Sequence, residues 1–251
     1  MRKLKISAIS DLHGNLPSPD FFEEGDVLCI CGDVVPLDIQ RNDVQCIAWF
    51  AGEFIPWTDR LPFKKVIMVF GNHDFFAQHI GPDHGNDGNE MTRLLLPLNM
   101  KGKHKVQILC DNGYKYNGFT FWGTSWCPDL SAWAFYGGHD KLTQEYNKIP
   151  TNVDVVLSHC PPRCGDAGTV LQKCWNWGRN FGCQELADVL NDRNVGWLFC
   201  GHVHSGDHRI TEWGDSKIVN VSMLDEDYKK NYSPFSTEII KGEHKSKQDL
   251  I

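Results

Sequence analysis

No run of eighteen apolar residues occurs in the 251-residue chain, so no segment of it is expected to cross a membrane as a helix. The opening residues, MRKLKISAIS, lack the apolar core of a secretory signal, and the expectation is a cytoplasmic protein with reduced thiols. No C-x2-C pair occurs among the ten cysteines, which argues against a structural zinc ribbon. Cys160, Cys164, Cys174 and Cys183 are the grouping that could still hold such an ion. Cys29, Cys31 and Cys200 lie inside apolar runs and read as small core residues. Basic charge is scarce: 25 Lys and Arg stand against 32 Asp and Glu, a net charge of −7, which argues against long nucleic acid as a partner. A small anionic substrate stays open, because bound cations can reverse a local field. Internal repeats, low-complexity tracts and a linker are also missing. The expectation is one domain over residues 1–240 and a flexible tail over 241–251.

What the chain has in quantity is short β-rich apolar runs. They are Leu4–Ile9, Val27–Cys31, Val66–Phe70, Phe119–Trp122, Val153–Leu157, Val195–Cys200 and Lys217–Val221. Many are apolar at consecutive positions, which predicts strands buried on both faces. Helical spacing appears over 42–58 and 183–194. Strands alternating with helices indicate an α/β protein. The stretch HIGPDHGNDGNE (79–90) reads as a polar surface loop whose His79 and His84 are solvated.

The strand ends carry the chemistry. The first run ends ISDLHGN, placing Asp11 and His13 just past it. The second ends CGD, with Asp33 after glycine. The third ends GNHD, giving Asn72, His73 and Asp74. The fifth ends in His159, and the sixth ends GHVH, giving His202 and His204. Singly, each has an ordinary reading as a cap, a turn or a core histidine. Together they place carboxylates, an amide and imidazoles at the carboxyl ends of five strands, where ligands bind in open α/β sheets. Residues two apart in an extended segment share a face, as D-x-H and H-x-H require. A mixed N/O donor set suits first-row ions (Mn, Fe, Co, Ni or Zn) better than calcium, and a pair of such cations needs a shared anionic bridge.

The ordered set D-x-H, GD, GNHD, H and GHVH resembles that of the calcineurin-like metallophosphoesterase superfamily and spans Asp11 to His204. The segments SHCPPRCGDAG (158–168), GCQELADVL (182–190) and TSWCPDLSAWAFYG (124–137) are similar to the small branch related to cyclic-nucleotide phosphodiesterases. That branch often has glycine where this chain has Cys160. The resemblance implies two mixed β-sheets packed as a sandwich and flanked by helices. It implies two divalent transition-metal ions: Asp11, His13 and His204 on the first, Asn72, His159 and His202 on the second, and Asp33 bridging. It implies that His73 is no ligand but sits near the leaving-group oxygen, and that a metal-bridging hydroxide attacks a phosphodiester, such as a cyclic nucleotide. The alternatives are a phosphomonoesterase or protein phosphatase, and a metal-bound scaffold without catalysis. From adjacency alone, Asp74 is expected to orient His73. Substrate contacts are expected from Asn72 and His73, with Arg163 on phosphate and Trp126 in an aromatic wall.

Overall fold

The computed structural model describes residues 1–96, 105–128 and 130–242. Strands apolar at consecutive positions need cover on both faces. The chain provides it with two stacked sheets and flanking helices, the α/β sandwich that the resemblance implied. The first sheet contains β1 (Lys3–Ile9), β2 (Gly25–Cys31), β3 (Phe63–Val69), β4 (Val106–Ile108) and β11 (Phe235–Ile240), in the order β11-β1-β2-β3-β4. The second contains β5 (Asn112–Tyr116), β6 (Phe119–Thr124), β7 (Val155–Ser158), β8 (Trp197–Cys200), β9 (Thr211–Trp213) and β10 (Ser216–Asn220), in the order β5-β6-β7-β8-β10-β9. Within each sheet the central strands run parallel; β11, β5 and β9 pair antiparallel at the edges.

Period-2 alternation divides each strand between two cores. Ile6, Ala8, Val27, Cys29, Ile67 and Val69 face Phe121, Val155, Leu157, Phe199 and Val219 between the sheets. The intervening residues, such as Leu28, Ile30, Val66, Met68, Val156 and Leu198, pack with helical residues including Phe50, Phe54, Trp57 and Leu186. The helices are α1 (Asp43–Trp49), α2 (Ile55–Arg60), α3 (Phe75–Ile80), α4 (Gly88–Leu95), α5 (His139–Tyr146) and α6 (Gln184–Arg193). The single helix read over 42–58 is α1 and α2 joined by a π-helical turn at Phe50–Phe54. Pro56 supplies no N–H at the start of α2, and the Ile55 N–H reaches back to the Phe50 carbonyl, which widens the turn there.

One expectation needs correction. The stretch 79–90 is not all loop. It holds the end of α3, a 3-10 turn at Pro82–His84 and the start of α4. Asp87 caps α4 by accepting the Asn89 and Glu90 N–H groups, both at 2.9 Å, and D-x-x-E was the signal for it. In the expected tail, the Lys241 N–H donates to the Arg2 carbonyl at 3.0 Å. Residues 243–251 of the expected tail lie outside the described residues. All ten cysteines are free thiols.

Candidate metal centre

The carboxyl ends of β1, β2, β3, β7 and β8 meet at one rim. Close approach there requires glycine. A Cβ on Gly71 would lie 2.2 Å from Asp33 Oδ1, and one on Gly201 would lie 2.3 Å from Asp11 Oδ2. Asn72 and His202 can follow their strands into the cluster only because the preceding residue has no side chain. Asp11, His13, Asp33 and His202 all have left-handed backbones, with φ of 55°, 43°, 52° and 68°. Such conformations cost about 1–3 kcal/mol each and persist where surrounding bonds over-determine them. Here the Asp11 N–H donates to the Gly32 carbonyl at 3.0 Å and the His13 N–H to the Asp33 carbonyl at 2.9 Å. The His202 N–H in turn donates to the Asp11 carboxylate at 3.1 Å.

Seven side chains form two groups that share one carboxylate. In the first, His13 Nε2 is 3.3 Å from His204 Nε2, and His204 Nε2 is 3.5 Å from Asp11 Oδ1. In the second, Asn72 Oδ1 is 2.9 Å from both His159 Nε2 and His202 Nδ1. Between them lies Asp33 Oδ2, 3.7 Å from His13 Nε2 and 3.4 Å from His159 Nε2. All the residues sequence reasoning named as ligands are therefore together.

The donor set fits divalent cations. His159 Nδ1–H donates to the Cys31 carbonyl at 2.8 Å and His204 Nδ1–H to the Asp225 carbonyl at 2.8 Å, which leaves each Nε2 lone pair facing inward. Ser222 Oγ–H donates to Asp11 Oδ2 at 2.7 Å and fixes that carboxylate. Charge points the same way. Burial opposes ionisation of Asp33, yet His159 and His73 beside it hold its carboxyl well below the usual range. Burial likewise opposes ionisation of Asp11, and the hydrogen bond and charge of His204 overcome it. In return, Asp33 overcomes burial to lift His159 to about 10, and Asp11 does the same to lift His204 to about 9. Burial instead pushes His13 and His202 down to about 3. Two buried carboxylates thus demand positive charge, which metal cations supply while every imidazole stays neutral.

His73 stands beside the cluster with Nε2 3.9 Å from Asp33 Oδ2. Asp74 does not orient it. The Asp74 carboxylate turns back to accept the N–H groups of Gly71 at 2.8 Å and of Val34 and Val35 at 3.1 Å, binding the β2 and β3 ends together. Burial and the nearby Asp33 raise its pKa to about 7. The partner of His73 is Gln40, whose Oε1 accepts from Nδ1–H at 2.5 Å. The Asp33 carboxylate also holds the His73 backbone N–H at 2.8 Å.

The expected substrate contacts are corrected too. Trp126 is buried, and its indole N–H donates to Asp111 Oδ2 at 2.7 Å, away from the cluster. Trp133 takes the place beside His73, with ring centroids 4.3 Å apart. Arg163 is exposed and lines a cleft with His139, Asn180 and Glu185, none of which belongs to the cluster. On the other flank Tyr228, itself at φ 59°, sets its ring edge-on to His13 and His204, at 5.0 and 5.1 Å. His79 pairs with Asp43 at 2.8 Å, and both side chains are about half exposed, as expected of a surface histidine. Cys160, Cys164, Cys174 and Cys183 belong to none of the metal-competent groups found among the described residues. Gln40, Tyr228 and Trp133 join the site without a motif to mark them; only Trp133 lies in a segment, 124–137, that the sequence singled out.

A family model described as calcineurin-like phosphoesterase matches residues 4–206. A UPF0046 protein of Caenorhabditis elegans is 28% identical, over 98% of this chain and 84% of its own length. Metallophosphoesterase domain-containing protein 1 of Homo sapiens is 27% identical, over 94% of this chain and 70% of its own. Among solved structures, a Thermus thermophilus protein, TT1561, superposes with a TM-score of 0.56 at 16% identity, covering 94% of this chain and 99% of that one. Phosphopantetheinyl hydrolase of Mycobacterium tuberculosis does so with a TM-score of 0.52 at 17% identity, covering 93% and 95%. At such identities the structural likeness shows the shared fold.

Proposed function

Because this chain belongs to the calcineurin-like phosphoesterase family, we propose that it hydrolyses a small phosphodiester, a cyclic nucleotide or a nucleotide-like molecule, using two divalent transition-metal ions. Asp11, His13 and His204 would hold one ion and Asn72, His159 and His202 the other, with Asp33 serving both. The observation that carries this reading is the position of Asp33 Oδ2, within 3.7 Å of His13 and 3.4 Å of His159, so that one carboxylate oxygen faces both groups. When bound, the cations would neutralise phosphoryl charge and acidify the attacking water.

The chain's own residues supply the rest. Gln40 holds Nδ1–H of His73, which turns Nε2 toward the cluster, where a departing alkoxide needs a proton or a hydrogen bond. A general acid so placed contributes about 10²–10⁴-fold. Trp133 beside His73 offers a stacking face to the group that leaves. The completeness of the ligand set, together with His73, favours an enzyme over a metal-bound scaffold.

Hydrolysis of bis-p-nitrophenyl phosphate with added Mn²⁺ tests the reaction, and a panel of nucleoside cyclic phosphates against nucleoside monophosphates tests the substrate class. The reading expects Mn²⁺-dependent diester cleavage, with cyclic phosphates preferred. A protein that retains two ions per chain and turns nothing over is a scaffold. Faster cleavage of monoesters makes it a monoesterase.

A further inference from the structure

β6 runs parallel to β7 in the second sheet, so its carboxyl end opens on the same rim as the ligand-bearing strands. Three residues past Thr124 stands Cys127. Its Sγ and one ring nitrogen each of His159 and His202 lie within 4.8 Å of one another. The side chain is fully buried, 0% exposed. Its backbone is pinned on both sides: the Cys127 N–H donates to the Phe135 carbonyl at 2.9 Å, and its carbonyl accepts the Gly137 N–H at 3.0 Å. Protein contacts hold the thiol itself weakly, through a long 3.7 Å approach to the Ser125 carbonyl and an interaction with the Cys160 thiol.

We propose that the sulfur of Cys127 is a ligand of the second metal, beside Asn72, His159 and His202, and that it biases this position toward thiophilic ions. The inference rests on the two-metal reading above. Zinc-type ions sit about 2.3 Å from sulfur and 2.0–2.1 Å from imidazole nitrogen, so donors about 90–120° apart on one ion, as in a five-coordinate site that includes Asp33, are about 3.1–3.8 Å apart. From a separation of at most 4.8 Å, the thiol therefore has at most about 1.0–1.7 Å to close, within reach of a side-chain rotation. The bond formed is sulfur to metal, the bond broken is S–H, and the proton leaves to solvent. Adding one soft donor to an amide oxygen, two imidazoles and the shared Asp33 carboxylate shifts the preference toward zinc, cobalt or iron and away from manganese, which prefers oxygen. The first position, with Asp11, two imidazoles and the same shared Asp33, gains no such donor, so the two ions need not be the same element.

Cobalt makes the test direct, because a thiolate bound to Co²⁺ absorbs in the near ultraviolet by sulfur-to-metal charge transfer. The metal-free full-length protein is titrated with Co²⁺. The expected result is that band in the parent, its loss in Cys127→Ser with bound cobalt unchanged, and its retention in Cys160→Ser, the neighbouring thiol. A parent that binds cobalt without the band, or a Cys127→Ser protein that keeps it, overturns the sulfur ligand and leaves the two-metal reading standing. A parent that binds no cobalt overturns the two-metal reading itself. Should Cys127→Ser fold poorly, X-ray absorption of the zinc-loaded parent decides. A sulfur scatterer at about 2.3 Å supports the ligand, and a shell of nitrogen and oxygen alone overturns it. In metal competition, Cys127→Ser is expected to move the zinc-over-manganese preference about tenfold toward manganese. An unchanged preference overturns the selectivity.

Discussion

The two sheets bring different chemistry to the same rim. The first contributes both carboxylates, Asp11 and Asp33, the amide of Asn72, and two imidazoles, His13 and His73, from the ends of β1, β2 and β3. The second contributes imidazoles, His159 after β7 and His202 and His204 after β8, and the proposed Cys127 thiol after β6. Both carboxylates therefore lie on one side of the sandwich while imidazoles come from both, and neither proposed metal position is complete without both sheets. His204 crosses to Asp11 at 3.5 Å, and His159 crosses to Asn72 at 2.9 Å. Cations bound there would tie the carboxyl ends of the two sheets together, while the apolar layer of Ile6, Val27, Phe121 and Leu157 holds their bodies.

The sharpest way to break this comparison is to change one residue on each side. Asp33 faces both metal positions and His202 only one. Asp33→Asn keeps the shape and removes the charge, so affinity at both positions should fall by about a hundredfold or more, and activity with it. His202→Asn should lose one ion and recover with excess Mn²⁺. Elemental analysis after dialysis separates them: near zero ions per chain for the first, about one for the second. Equal losses would mean that the two sheets do not divide the work in this way.

Removing the ions tests the joint itself. A chelator should lower the melting temperature, because ions that bind only the folded chain stabilise it by about 2.7 kcal/mol at a hundred times their Kd. The size of the drop should depend on pH. His159 and His204 are lifted to about 10 and about 9 in the folded chain, above an unfolded value near 6.5. Their protons stabilise the metal-free protein fully below about pH 6.5, and that support is lost as pH rises through the folded values. Metal must displace the same protons, so its affinity grows over the same window. The chelator-induced drop should be small at pH 6 and larger toward pH 9. A drop that shrinks with pH would contradict the assignment of these imidazoles as ligands.

The same asymmetry explains what could be read from the sequence. All seven apolar runs became strands, because burial on both faces leaves a continuous signature. β5, with sequence NGYKY, and β11, with FSTEII, were not legible: each is an edge strand with alternating exposed residues, and neither run is apolar. The seven candidate ligands were legible because a strand end fixes where a side chain goes. His73 was legible for the same reason, but its partner was not. Adjacency suggested Asp74, yet the turn that sends His73 toward the cluster sends Asp74 back to the N–H groups of Gly71, Val34 and Val35. Gln40 sits in the segment between β2 and α1, and only the path of that segment brings it to the imidazole. Trp126 and Trp133 lie in one aromatic stretch. The route of the chain between them decides that one meets Asp111 and the other His73.

His73 sharpens the comparison further, since it belongs to the acid-bearing sheet yet is assigned no metal. His73→Asn should leave the ion count intact and lower kcat by about 10²-fold or more on esters with poor leaving groups. On p-nitrophenyl esters, whose leaving group needs no proton, the loss should be small. A uniform loss across leaving groups, accompanied by loss of metal, would place His73 among the ligands.

The smallest expected effect is at Gln40. Its Oε1 accepts the Nδ1–H of His73 at 2.5 Å, while Trp133 restrains the same ring from 4.3 Å. Gln40→Ala removes its hydrogen-bonding restraint, leaving the ring contacts with Trp133 and His13, so the imidazole is less often turned with Nε2 toward the cluster. A lost neutral hydrogen bond is worth about 0.5–1.5 kcal/mol, which caps the fall in kcat at roughly tenfold. A merely structural role would lower activity alike for every ester and lower the melting temperature with it. A positioning role predicts the leaving-group pattern of His73→Asn in weaker form, and Gln40→Glu, which keeps the acceptor, should restore most of kcat. The decisive comparison is the double variant. If Gln40 acts through His73, then Gln40→Ala should cost nothing further once His73 is already Asn. An undiminished loss in that background would show that Gln40 serves the loop and not the imidazole.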